Sequence, residues 1–302
     1  MKGENREVGA VIGVQTVRNP IILARAVMER SPHVTLATDG AERFADSLGD
    51  LIERVPNSFF STPSRVKALE MAQEKEKLLQ VHELQKQKEP EDQKTEIPPT
   101  VILENIERTY DVKVVQNDRL IDAQTHQETT EVTVVEDEEL LLKTCEIETK
   151  KCFGTVGAVA LDSFGHLAAA TSTGGMTNKK FGRVGDSPLT GCGNWADERV
   201  AVSCTGWGEF FIRNAVAHDI SCRVKYGNAT LEDAANTVIH QVLSAHGGDG
   251  GVICVDSDGH VAMPFNSGCM FRGWVLADGT RGVAIYDEEL VLTEEEKTKQ
   301  SD

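Results

Sequence analysis

An abrupt change of composition near residue 153 constrains the fold more than any other feature of this 302-residue chain. From about residue 81 to Cys152 the sequence has no glycine and many charged residues, whereas from 153 to about 290 it is rich in glycine and alternates small and apolar side chains. A segment of low hydrophobicity and high charge cannot bury enough apolar surface to offset the entropy lost on ordering. The first stretch is therefore predicted to be a mobile linker, with weak strand patterns only at 132–135 and 140–142.

The segment before this linker predicts one strand and three helices. Residues 8–17 alternate small and apolar side chains, as a strand does. A helix is expected to start at Asn19-Pro20, because proline suits the first helical turn, and to stop at Ser31-Pro32. Helical patterns follow at 41–48 and from 64 to about 80.

The segment after the linker predicts strands, then helices, then strands. Two hairpins are expected, at 156–173 with a turn at 162–166, and at 252–265 with a turn at 256–259. A further strand is expected at 200–205, and helices at 211–226 and 231–245. This order indicates an α+β layered domain.

Charge and composition exclude several classes of function. A net charge of −17 argues against a nucleic-acid or anionic-membrane partner, because both require clustered Lys and Arg. No apolar run reaches the ~18 residues of a membrane span, and the N-terminal residues lack the pattern of a secretory signal. A cytoplasmic protein is expected.

The cysteines and histidines predict neither a disulfide framework nor a metal site. The seven cysteines are scattered without a CxxC pair, and Cys204 lies in an apolar stretch typical of a buried thiol. Four histidines occupy turns or helices without partners at metal-ligand spacing, and they are interpreted as structural: His166, His218, His240 and His260.

The Gly154-Thr155 peptide, at the end of the linker and the start of a strand, is suited to self-cleavage. Attack of the Thr155 hydroxyl on the Gly154 carbonyl would give an ester that water hydrolyses, leaving Thr155 with a free α-amine. That amine has a reference pKa of about 7.7–8.0, so it can accept the hydroxyl proton near pH 7. Most Gly-Thr pairs are only loop-to-strand junctions, and that interpretation stays open at this point.

Other loops carry groups that could bind an amino acid. Arg183 can hold an α-carboxylate in bidentate fashion, and Asp186 can pair with an α-ammonium. The Thr205 hydroxyl and the Gly206 N–H can stabilise an oxyanion. The alternatives are a surface ion pair between Arg183 and Asp186, and local turns made by the hydroxyls of Thr173 and Thr205.

The motifs around these residues resemble one family closely. The sequence is similar to the β-subunit of plant-type asparaginases, also called isoaspartyl peptidases. The motifs that carry the likeness are T-V-G-A-V-A-L-D, A-A-A-T-S-T-G-G-M-T-N-K, G-R-V-G-D-S-P-L, G-C-G-N-W-A-D and V-A-V-S-C-T-G-W-G-E. The likeness covers residues 155 to about 290, and the segment 9–45 resembles the family's α-subunit. The resemblance implies a partial α-subunit at 1–80, the linker at 81–154 and the catalytic β-subunit at 155–302.

The resemblance also implies roles, an activity and an assembly. Thr155 would be the nucleophile, Thr173 would hydrogen-bond its hydroxyl, and Thr205 with Gly206 would form the oxyanion hole. The groups expected to hold the substrate are those of Arg183, Asp186, Gly206 and Gly208. The family hydrolyses asparagine and β-aspartyl dipeptides, has a four-layer αββα sandwich and forms dimers of α/β pairs.

Two departures from the family keep other interpretations open. The family's H-G-G-A-G-like turn and its F-N-A-G-x-G-S-like loop, which is associated with a structural sodium ion, have no counterpart here, so no cofactor is expected. Trp207 stands where the family has a smaller or polar residue, which predicts a narrower pocket. The alternatives are a glycosylasparaginase-type amidase and a catalytically dead truncated paralogue; Thr173-Gly174-Gly175 favours the asparaginase branch over the former.

Overall fold

The computed structural model describes residues 1–86, 154–286 and 289–292. Contacts divide the chain into one unit formed by Met1–Gln73 and Lys150–Asp302 and a second formed by Glu74–Thr149. Of the second unit, only helical residues 74–86 are described. The strand patterns at 132–135 and 140–142, and the predicted linker from 87 to 153, lie outside the described residues and stay predictions.

The segment before this gap contains two short strands and three α-helices. β1 (Ala10–Ile12) and β2 (Thr35–Ala37) pair in parallel. The α-helices are α1 (Pro20–Arg30), α2 (Thr38–Ser47) and α3 (Pro63–Lys86).

The helices of this segment confirm the predictions, and its strand does not. α1 has Asn19 as its N-cap residue and Pro20 in its first turn, and it ends where the Ser31 hydroxyl donates a hydrogen bond to the Val27 carbonyl. The strand predicted over 8–17 is wrong in length. It ends at Ile12 because Gly13 has φ +68, a left-handed conformation that turns the chain away.

After the gap, the strands form a hairpin and two sheets. β3 (Val156–Leu161) and β4 (Leu167–Ser172) make the predicted antiparallel hairpin. A four-stranded sheet has the order β5 (Asn194–Ala196), β6 (Val200–Gly206), β7 (Gly250–Asp256) and β8 (Val261–Ala262). A three-stranded sheet has β10 (Arg281–Ala284) between β9 (Arg272–Val275) and β11 (Glu289–Leu292).

The helices of this segment differ from the predictions in detail. The single helix predicted over 211–226 is wrong, because Ala215 has φ +46 and separates α4 (Gly208–Asn214) from α5 (Val216–Gly227). The helix predicted over 231–245 is present, but α6 (Leu231–Asn236) continues as a π-helix over Thr237–Leu243. No proline or glycine at Ala215 signals the break between α4 and α5. The π-helix leaves the spacing of apolar residues in the sequence looking like that of an α-helix.

The main core lies between the four-stranded sheet and the helices that cover one of its faces. Side chains of β6 and β7 pack there against α4, α5, α6 and the π-helix. The strands contribute Val202 and Val252, and the helices contribute Phe211, Ile220 and Ile239. Mixed helices and strands packed in layers confirm the α+β class.

The β3–β4 hairpin packs on β6 and β7 and so positions the first residues of β3. A Cβ on Gly157 would overlap the Ser203 hydroxyl and lie 3.1 Å from the Ser203 Cβ, so only glycine allows this approach. The side of β3 that points away from Ser203 is open, and Val156 is 72% exposed there.

The cysteines follow the predictions at four positions and depart from them at one. Cys192, Cys204, Cys222 and Cys254 are free thiols, and burial raises the pKa of Cys204 well above its usual value, as suits a small buried apolar residue. Cys269 is disulfide-bonded, which the scattered spacing of the cysteines did not indicate. No helix in the described ranges is long and apolar enough to cross a membrane.

Candidate active site

The hydroxyls of Thr155 and Thr173 meet at the mouth of the β3–β4 hairpin. The register pairs Val156 with Ser172, which places Thr155 opposite Thr173 one residue further along. The Thr155 hydroxyl donates to Thr173 Oγ1 at 3.4 Å, and the Gly175 N–H donates to the same oxygen at 3.0 Å. Thr173 therefore makes the local turn that its position suggests and also contacts the predicted nucleophile.

Gly154 leaves the predicted scissile peptide accessible. It is exposed, and a Cβ at this position would meet no atom within 4 Å. Water can therefore reach the peptide bond between Gly154 and Thr155, as hydrolysis of an ester intermediate requires.

The predicted oxyanion hole lies at the end of β6. The Thr205 hydroxyl oxygen is buried and has no hydrogen-bond partner among the described residues. A buried polar group without a partner is costly, so this hydroxyl is suited to bind a ligand. A local turn, the alternative for Thr205, is not what the structure shows.

Gly206 is required by both conformation and space. Its φ is +154, and a Cβ would lie 2.5 Å from the Asp249 carbonyl oxygen and 2.8 Å from the Gly250 Cα. The Trp207 N–H donates to the Asp249 carbonyl at 2.9 Å, which holds the chain beyond Gly206 against the start of β7. Only glycine therefore fits between the end of β6 and the start of β7.

Arg183 is held by Glu209, a residue for which the sequence predicted no role. Its Nε and Nη2 donate to Glu209 Oε1 and Oε2 at 2.7 and 2.6 Å. This pairing raises the pKa of Arg183, and the hydrogen bond from Arg183 lowers the pKa of Glu209. Glu209 lies in the first turn of α4, directly after the Gly206-Trp207-Gly208 motif, and that adjacency was the one available signal.

Asp186 is buried and does not form the surface ion pair that was the alternative to a binding role. It is 6% exposed, its Oδ2 has no hydrogen-bond partner among the described residues, and the ion-pair partner of Arg183 is Glu209 instead. Burial raises the pKa of Asp186 to about 6, although nearby Arg183 acts in the opposite direction. An unpaired carboxylate in such a place is suited to a cationic ligand group.

Two glycines leave space for the charged groups of Arg183 and Asp186. A Cβ on Gly208 would lie 2.8 Å from Asp186 Oδ1 and 2.9 Å from Arg183 Nη2, so both charged groups converge on this buried position. A Cβ on Gly175, whose N–H bonds Thr173, would lie 3.8 Å from Arg183 Nη1. The nucleophile pair and the charged groups thus lie on adjoining segments.

Two other features do not form part of this site. Asp256, Asp258 and His260 have metal-ligand spacing, so the expectation that His260 lacks such partners is wrong. However, Asp256 Oδ1 already accepts the N–H groups of Asp258 and His260 within the exposed turn. A surface depression of about 450 Å³ is lined by residues between 45 and 54 and includes none of the predicted site residues.

Comparisons with known proteins agree with the motifs. A family model described as asparaginase matches residues 1–285. An isoaspartyl peptidase of Salmonella typhimurium is 42% identical over 289 residues, which are 95% of this chain and 72% of that protein.

Two eukaryotic relatives extend the comparison. A putative isoaspartyl peptidase/L-asparaginase of Dictyostelium discoideum is 44% identical over 92% of this chain and 70% of its own length. An isoaspartyl peptidase/L-asparaginase of Homo sapiens is 32% identical over 97% of this chain and 73% of its own. The resemblance therefore extends over nearly the whole chain.

Proposed function

The chain belongs to the asparaginase family, and from that membership we propose that it is a threonine hydrolase that cuts itself and then hydrolyses asparagine and β-aspartyl dipeptides. The observation that carries this proposal is the contact between the Thr155 and Thr173 hydroxyls directly after Gly154. Nothing in the comparisons favours a glycosylasparaginase.

Self-cleavage converts Thr155 into nucleophile and base at once. Its Oγ attacks the Gly154 carbonyl, the peptide nitrogen leaves as the α-amine of Thr155, and the product is an ester between Gly154 and the Thr155 oxygen. Water hydrolyses that ester to a carboxylate on Gly154 and a free hydroxyl. The amine released in this way can accept the hydroxyl proton in the next reaction.

Hydrolysis of substrate repeats the same chemistry on a side-chain carbonyl. The Thr155 oxygen attacks the β-carbonyl of the substrate while Thr205 Oγ1 and the Gly206 N–H stabilise the oxyanion. Ammonia or an amino acid leaves with the proton that the α-amine held, and water then releases aspartate. Thr173 hydrogen-bonds the attacking oxygen.

The two ends of the substrate's amino-acid backbone are held by opposite charges. Arg183 binds the α-carboxylate, and Asp186 binds the α-ammonium with help from the Gly208 carbonyl. The burial of Asp186 and its unpartnered Oδ2 support this assignment. The reaction needs no cofactor, because protein groups supply the nucleophile, the base and the oxyanion donors.

Fold and assembly follow the family. The hairpin packed on a sheet whose other face carries helices supports a four-layer αββα sandwich. The processed protein is a dimer of α/β pairs, each made of the chains before and after the cleaved bond.

Activity assays on the processed wild-type chain test the proposal. Ammonia release from L-asparagine and leucine release from β-aspartyl-leucine are expected, whereas α-aspartyl-leucine should not be cleaved. Hydrolysis of N-acetylglucosaminyl-asparagine in preference to both substrates would favour the glycosylasparaginase alternative. A cleaved chain that hydrolyses none of these compounds would contradict the proposal.

The Asp186 carboxyl predicts how affinity for the substrate's amine depends on pH. Because burial raises its pKa to about 6, Asp186 is protonated below that pH and no longer attracts an ammonium group. The advantage of L-asparagine over succinamate, which lacks the α-amine, should therefore fall about tenfold per pH unit below pH 6. The measurement compares the KM of asparagine with the inhibition constant of succinamate between pH 8 and pH 5.

The matched variant for this pH measurement is Asp186→Asn. It should bind asparagine no better than succinamate at any pH, because its amide carries no charge. An advantage of asparagine that is unchanged from pH 8 to pH 5 in the wild-type chain would contradict the role of Asp186.

A further inference from the structure

Among the described residues, the guanidinium of Arg183 is hydrogen-bonded along one edge, by Glu209. Glu209 takes its Nε and Nη2 in a bidentate pair at 2.7 and 2.6 Å, and the Arg183 side chain is 17% exposed. Paired, nearly parallel hydrogen bonds of this kind set the plane of the guanidinium as well as its position.

The remaining nitrogen, Nη1, lies where two glycines leave room. A Cβ on Gly185 would come within 2.9 Å of it and one on Gly175 within 3.8 Å. Within the described ranges Nη1 donates no hydrogen bond, and Gly175 belongs to the turn that holds Thr173. Nη1, the guanidinium nitrogen that makes no bond to Glu209, therefore lies beside the segment of the nucleophile pair.

A second carboxylate competes for the same guanidinium. Asp186 Oδ1 and Arg183 Nη2 both lie within 3 Å of the position that a Gly208 Cβ would take, at 2.8 and 2.9 Å. Without Glu209, Arg183 would be drawn onto the buried, unpaired Asp186, because an opposite charge at close range in a poorly solvated place is strongly attractive. Such a pair would neutralise both groups that the substrate needs.

We propose that Glu209 is a positioning residue for substrate recognition: it holds Arg183 by the Nε–Nη2 edge, presents Nη1 to the substrate's α-carboxylate and keeps Arg183 off Asp186. This inference rests on the proposed function, because it assumes that Arg183 binds that carboxylate. Glu209 acts through Arg183 and does not touch the reacting atoms.

Two other roles of Glu209 predict a different effect of its removal on KM. If Glu209 merely occupied the place of the substrate's carboxylate, its removal would free Arg183 and lower KM. If Glu209 only stabilised the start of α4, its removal would lower the melting temperature and leave KM unchanged.

The test is Glu209→Gln, which keeps the size of the side chain and removes its charge. The KM for L-asparagine and the inhibition constant of succinamate should both rise about tenfold or more, since a misplaced anchor weakens binding through the carboxylate. The kcat should change less than KM, and cleavage at Gly154-Thr155 should proceed as in the wild-type chain. Glu209→Asp, which keeps the charge on a shorter stem, should give an intermediate KM.

The matched control is Glu198→Gln, which breaks a pair of equal length between Glu198 and Lys225, 2.6 Å apart, without touching Arg183. Its KM should equal that of the wild type. An unchanged or lowered KM in the Glu209→Gln protein would overturn the inference, with Glu209→Asp deciding in the same way if the glutamine variant does not fold. Failure of the wild-type chain to hydrolyse asparagine would instead overturn the proposed function.

Discussion

A Thr155→Ala chain is expected to stay in one piece and to hydrolyse neither asparagine nor β-aspartyl dipeptides. Alanine has no Oγ to attack the Gly154 carbonyl, so the N→O shift cannot begin and residue 155 keeps an amide nitrogen that cannot act as a base. Loss of both nucleophile and base is expected to cost at least about 10⁴-fold in kcat. A denaturing gel of the incubated protein and an ammonia assay measure the two effects.

Thr155→Ser is the matched control for this variant. Serine keeps the hydroxyl without the γ-methyl group, so it should cleave and hydrolyse, but more slowly. Cleavage of the alanine variant between residues 154 and 155 would contradict the assignment, because no other side chain is proposed to attack that carbonyl.

Arg183→Lys is the second variant expected to lose most of the activity. A lysine ammonium is a single point of charge and cannot bond both Glu209 and a substrate carboxylate in the geometry of the guanidinium. We expect kcat/KM for L-asparagine to fall about 10²- to 10³-fold, as for other losses of one partner from a partly buried charge pair. Self-cleavage should be unchanged, because the scissile peptide has no free α-carboxylate to be held.

Arg223→Lys provides the comparison for that variant. Arg223 Nε contacts both carboxylate oxygens of Asp219 at 3.1 Å, so the same exchange is made in a similar pair on α5. It should retain wild-type kcat/KM. Equal losses in the two variants would indicate a general effect of the exchange and contradict the role of Arg183.

The hairpin that carries Thr155 could be predicted because its signals are local. Residues 156–161 form a short apolar run that is typical of a strand, and the turn at 162–166 has Gly165 at φ +83, the conformation for which glycine is suited. Once the strand register is set by that turn, the meeting of Thr155 and Thr173 follows from their positions in the sequence.

The departures in the helices depend on packing that the sequence pattern does not express. Ala215 adopts a left-handed conformation although it is neither glycine nor asparagine, and the π-turn at Thr237–Leu243 keeps Val238, Ile239 and Leu243 buried as an α-helix would. Tertiary contacts overrode local preference at both places.

The ion-pair pattern of the site was missed for a similar reason. Arg183 and Asp186 are three residues apart, which suggested a pair, but Arg183 instead reaches Glu209 at 26 residues' distance while Asp186 stays buried. Such long-range choices depend on which carboxylate the fold buries, and no spacing rule contains that information.

In the proposed mechanism, Thr155 becomes reactive through the amine that scission of its own peptide bond releases. N-terminal sequencing of the purified wild-type chain after incubation at neutral pH tests it most directly. A second N-terminus that reads Thr-Val-Gly, from Thr155 onward, is expected to appear in step with asparagine hydrolysis. A chain that hydrolyses asparagine while that bond stays intact would contradict it.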